Sequence, residues 1–176
     1  MRYRGSFGRE DNLCRHLTGS WYLIVLGCFL LAGCTDNFIT RDERGLDAET
    51  RSLEWQIHQL VNEYRQRNNL RPLNRNALID YFARRHSREM AAGSVPVGHE
   101  GFEDRVKVIS WMYHKRQAAE NVSYMSGHRN YAHAFVDGWL RSPHHLANMS
   151  GTYYYTGIGV KRGRDGGYYA TQIFWR

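Results

Sequence analysis

Beyond position 34 the chain contains no cysteine; all three, Cys14, Cys28 and Cys34, stand near its start. A disulfide framework, a cysteine nucleophile and a thiolate metal site are thereby excluded from most of the protein. No Gly-x-Ser-x-Gly elbow is present, which removes the usual signature of a serine hydrolase. No glycine-rich phosphate loop and no internal repeat can be found either. His99-Glu100-x-x-Glu103 comes near the zinc-protease helix, but Glu103 stands where a second histidine is required, and Gly101 argues against a regular helix there. The formal charge is +7, and +5 once the four arginines and two acids before Cys34 are set aside. Those charges are scattered rather than gathered into a stripe, which argues against nucleic acid; a solvated, mildly basic surface is the plainer reading.

What is present suits one core. The 176 residues fall in the one-domain range of roughly 100–200, and five Trp, twelve Tyr and seven Phe can fill it. The run Trp21–Ala32 is almost wholly apolar. It is shorter than the roughly 20 residues that span a bilayer, and with arginines before it and Leu31-Ala32-Gly33-Cys34 after it, it reads as a signal-peptide core. That tetrapeptide resembles a bacterial lipobox, which implies lipidation of Cys34 and attachment to a membrane. Residues 1–33 are thus expected to be a signal peptide, 34–46 a lipidated cysteine with a polar tether, and 47–176 the exported domain. Thr35, rather than Asp, after the cysteine resembles the outer-membrane sorting pattern in a host with two membranes. The remaining domain is expected to hold together without a disulfide, although its compartment would permit one.

Leu53, Ile57, Leu60, Val61 and Tyr64 share one face of a helix ending near Pro72. A second helix is predicted over about Arg75–Ala92, with Ile79, Ala83, His86 and Met90 on one stripe; His86 therefore reads as a hydrogen-bonded core histidine. Gly93–Gly98 reads as a turn, His99 as part of a loop, Arg105–Met112 as a short helix and Ala118–Tyr124 as a strand. Ala132, Phe135, Val136, Trp139 and Leu140 mark a further helix. Ser142 and Pro143 fit the N-cap and first position of the next, with His144 and His145 in its first turn. Thr156–Val160 and Tyr168–Trp175 alternate as strands, joined through Asp165-Gly166-Gly167, a hairpin signal. Helices first and paired strands last suggest an α+β fold with an antiparallel sheet. His99, Glu120 and His145 stand near element ends, where side chains can face a cleft. His58, His114, His128 and His133 have no evident partner and read mostly as surface residues.

Six segments, taken together and in order, resemble the bacterial form of the CAP superfamily, the cysteine-rich secretory protein, antigen 5 and pathogenesis-related 1 group. They are His86-Ser87-x-x-Met90; Gly98-His99; Ala119-Glu120-Asn121-Val122; Trp139-x-x-Ser142-Pro143-x-His145-x-x-Asn148; Thr156-Gly157-Ile158-Gly159; and Thr171-Gln172-x-Phe174. The resemblance implies a three-layer α-β-α sandwich with a small antiparallel sheet and a cleft carrying His99, Glu120 and His145. Ser142 occupies the place of the eukaryotic second acid. Two imidazoles and a carboxylate are a donor set for a divalent metal, zinc foremost. A helix N-terminus disfavours a charged His145, and the neutral ring is the form that ligates metal. The expected function is binding of a lipid, glycan or peptide in the cleft. The alternatives are a metal-assisted hydrolase of peptide or envelope polymer and a structural interaction module of the envelope.

Overall fold

The computed structural model describes residues 41–113 and 117–176. The expected signal peptide, lipidated Cys34, the first part of the tether and His114 lie outside the described residues. No helix among the described residues is long and apolar enough to cross a membrane.

The first helix, α1, runs Arg41–Arg67. Residues 41–46, expected as tether, are helical and continuous with α1. Polar composition does not by itself argue against a helix, since most of those residue types have acceptable helix propensity. Leu53, Ile57 and Val61 are buried as their spacing requires, and Leu60 and Tyr64 pack beside them. The chain leaves α1 through Asn69, whose φ is 58°, a left-handed conformation that asparagine tolerates.

A two-residue strand, β1 (Asn74–Arg75), precedes α2 (Ala77–Ala91), so the helix starts later than its apolar stripe suggested. Asn76 caps α2 by accepting from the amides of Leu78 and Ile79 at 3.0 and 3.2 Å. There follow α3 (Phe102–Met112), β2 (Ala118–Met125), α4 (Tyr131–Arg141), α5 (Pro143–Ser150), β3 (Tyr155–Arg162) and β4 (Tyr168–Trp175).

The sheet order is β1-β3-β4-β2. The three long strands are antiparallel, as expected, while the short β1 pairs parallel to β3. Alternation divides β3 and β4 between two cores. Ile158, Val160, Tyr168, Ala170 and Phe174 face the core shared with α1, α4 and α5. Ile173 and Trp175 face α2 and α3, where Ile79, Phe82, Ala83, Val106 and Ile109 pack against them. Helices on both faces give the three-layer α-β-α arrangement.

Gly157 and Gly159 turn towards α2. A Cβ on Gly157 would stand 2.2 Å from the Ile79 carbonyl carbon, and one on Gly159 would stand 2.1 Å from the Arg84 amide nitrogen. Glycine is thus what lets α2 lie directly on the sheet. Beyond its short pairing with β1, β3 is an edge strand, and two carboxylates cover that edge: Asp80 accepts from the Ile158 amide at 2.8 Å and Glu54 from the Val160 amide at 3.3 Å. Those acids are held in turn by arginines, Arg75 on Asp80 and Arg84 on Glu54, so the edge is closed to a foreign strand without an unpaired buried charge.

Candidate functional site

The site is assembled from four elements. Glu120 lies on β2, where pairing with Ile173 of β4 sets its position. His145 lies in the first turn of α5, Arg105 on α3, and His99 on the loop between α2 and α3.

That loop is fastened at both ends. His86 is fully buried on α2, as its stripe required. Its Nε2–H donates to the Gly98 carbonyl at 2.7 Å. Its Nδ1 makes no hydrogen bond and lies 3.9 Å from Glu89 Oε2. Downstream, Gly101 (φ 71°) turns the chain into α3, and Arg105 Nη1 donates to the Glu100 carbonyl at 2.7 Å. His99 is thus held from both sides while its own side chain stays 54% exposed.

Glu120 is the centre of the cluster, its side chain only 1% exposed. His99 Nδ1–H donates to Oε1 at 3.0 Å. Arg105 takes both carboxylate oxygens: Nη2 lies 2.9 Å from Oε1 and 2.8 Å from Oε2, and Nε lies 3.2 Å from Oε2. A guanidinium fork on a buried carboxylate is a strong, orienting contact.

Asparagines join α5 to β2. Asn148 Nδ2 donates to the Glu120 carbonyl at 3.1 Å and to Asn121 Oδ1 at 2.9 Å, while Asn121 Nδ2 donates to the His145 carbonyl at 3.1 Å. The backbones of β2 and α5 are tied together in this way, and His145 is left half-buried.

The two histidines are pushed in opposite directions. The hydrogen bond to Glu120 raises the His99 pKa above the ordinary 6.5, against the effects of partial burial and of Arg105. Burial lowers that of His145, and the nearby charges of His99 and His144 lower it further. The expected neutral His145 agrees in direction, but burial and like charge supply the cause.

The expected metal set does not fit this arrangement. Glu120 spends both oxygens on Arg105, and a cation there would have to displace a guanidinium. Among the described residues no group of three or more His, Cys, Asp or Glu is placed to hold a metal ion. Ser142 is the backbone N-cap of α5, ahead of Pro143. Its hydroxyl makes no cap hydrogen bond and is not joined to His99, Glu120 or His145. Gly101 also rules out a zinc-protease helix through His99 and Glu103.

Arg105 is the residue that sequence reasoning missed. The signal was available: with Phe102, Val106 and Ile109 it occupies the apolar face of α3, where an arginine needs a buried partner. His58 corrects a second expectation. It is half-buried, with Nε2 2.9 Å from the Leu73 carbonyl, and burial lowers its pKa. His128 and His133 are exposed, as expected.

Among curated proteins none matches the chain. Solved structures do. An extracellular protein containing an SCP domain from Bacillus anthracis shares 26% identity at a TM-score of 0.62, over 78% of this chain and 44% of that one. A cysteine-rich secretory protein from Staphylococcus aureus shares 20% identity at a TM-score of 0.59, over 72% and 38%. An outer surface protein from Borrelia burgdorferi shares 15% identity at 0.59, over 71% and 92%. The chain thus spans less than half of the Bacillus and Staphylococcus proteins, and the more distant likenesses establish the fold. The model of the cysteine-rich secretory protein family matches residues 58–174, a stretch holding His99, Arg105, Glu120 and His145. With that match over most of the chain, and the same sandwich in the solved structures, the protein belongs to the cysteine-rich secretory protein (CAP) family.

Proposed function

We propose that this is an exported binding domain, tethered to the cell envelope through Cys34, which takes a lipid, glycan or peptide at a surface built around His99 and His145. The observation that carries the binding reading is the capture of Glu120 by Arg105. A carboxylate held by a guanidinium is a poor general base and a poor metal ligand; its remaining work is to orient His99 and favour its charged form. The surface therefore pairs an imidazole biased towards its charged, donating form with one biased towards its neutral form, suited to an acceptor-rich ligand group. Extracellular and surface relatives agree with export, as does the lipobox-like Leu31-Ala32-Gly33-Cys34. The hydrolase alternative lacks a free carboxylate.

The test is native mass spectrometry of the full chain purified from membranes, wild type against His99→Ala/His145→Ala. A co-purifying ligand present in the wild type and lost from the double variant is expected. Turnover of peptide or envelope polymer by the wild type, abolished in the same variant, would overturn the binding reading in favour of an enzyme.

A further inference from the structure

A concavity of about 260 Å³ opens between α1, α2 and β3 and shares no lining residue with the His99 site. Its wall carries Arg51, Arg84, Arg88 and Lys161, with Tyr81 at its side and Glu54 as its acid. The balance of charge there is uneven. Glu54 is buried and held by Arg84 and Arg75. Asp80, the other acid of that network, is matched by Arg75. The two carboxylates and two guanidiniums therefore cancel. Arg51 and Arg88 remain: both are exposed, and neither has a carboxylate partner among the described residues. Lys161, half-buried and engaged in an interaction of its own, lines the same concavity and is not counted with them. The mouth of this concavity thus carries two guanidiniums that no carboxylate among the described residues pairs, on helices fixed by packing against the sheet.

We infer that this concavity binds a phosphate group. Guanidiniums from α1 and α2 line the same concavity, and the guanidinium fork matches the several oxygens of a phosphate. The volume exceeds a bare ion and leaves room for the sugar or glycerol that carries it. The exposed ring of Tyr81 gives that carrier a face to rest on. The ligand class is a phosphate ester, from either a phosphorylated glycan or a phospholipid headgroup. The site is independent of the His99 surface and stands or falls separately from it.

The experiment is isothermal titration calorimetry on the full chain in a non-ionic detergent, with inorganic pyrophosphate as the first probe. Saturable binding is expected, weakening as salt is raised. Arg51→Ala/Arg88→Ala should reduce affinity about 100-fold, about tenfold for each charge-assisted contact removed. The melting temperature should stay unchanged, because both side chains are exposed. His99→Ala should bind pyrophosphate like the wild type, which separates this site from the other. Two further probes distinguish the sources. Glucose 1-phosphate, a monoester, stands for a phosphorylated glycan, and glycerophosphoglycerol, a diester, for a lipid headgroup; preference for either supports the site and assigns its source. No saturable binding of pyrophosphate, or equal affinity in the double alanine variant, overturns the inference.

Discussion

Replacing Arg105 by alanine tests how the site is built. The Arg105 side chain is 9% exposed and that of Glu120 1%, so their pair belongs to the buried class. Exposed pairs contribute about 0–1 kcal/mol. Removing one partner of a buried pair costs about 3–5 kcal/mol, because the other charge is left without compensation. In Arg105→Ala, Glu120 would keep only the His99 hydrogen bond, and the Glu100 carbonyl would lose its donor. A loss of about 4 kcal/mol is expected, a large part of the 5–15 kcal/mol typical of a whole domain. Urea denaturation at pH 7 measures it. Adding Glu120→Leu should recover part of the loss, because the stranded carboxylate goes with it, and a double-mutant cycle isolates the coupling. An independent readout is the His99 titration followed by NMR. Arg105 lowers the His99 pKa in the wild type, so its removal should raise it further. A destabilisation below about 1 kcal/mol, together with an unmoved His99 titration, would refute the claim that the site rests on a desolvated Arg105–Glu120 pair.

Gly159→Ala should cost about 3 kcal/mol and lower the melting temperature by about 10 °C, because its methyl meets the backbone of α2, which cannot rotate away. Gly93→Ala should cost only about 1 kcal/mol, for its φ of 72° alone, since a Cβ there meets nothing; equal effects from the two would contradict the close approach of α2. In the NMR titration His99 should deprotonate above pH 6.5 and His145 below it. The stabilisation from His99 is complete below 6.5 and is lost as pH rises through its raised pKa. His145, with its pKa depressed, favours the folded state above 6.5 and penalises it as pH falls through the lowered value. Titrations in the reverse order would remove the electrostatic asymmetry assigned to the site.

The helices and long strands were legible because burial imposes a period. The apolar faces of α1, α2 and α4 and the alternation of β3 and β4 could be read directly, and the six motif segments placed His99, Glu120 and His145 in the cleft-bearing family. Elements without a period were not legible. The parallel pairing of β1 rests on two residues, and the helical course of 41–46 was masked by its polarity. Asn121 and Asn148 were visible as motif letters only; their work, clamping α5 to β2, requires both elements in place.

By itself, then, the sequence determined the family, the α-β-α order of elements and the cysteine-free domain, and it named His99, Glu120 and His145 as candidates. Periodicity and motif spacing are properties of residues close in the chain. Only the tertiary structure decided what the carboxylate does. Glu120 and Arg105 are 15 residues apart, on a strand and a helix brought together by the packing of α2 and α3 on the sheet. The sequence shows an acid among histidines, a donor set for a metal. Folding adds a guanidinium within 3 Å of both its oxygens, and that contact turns the acid into a support for His99.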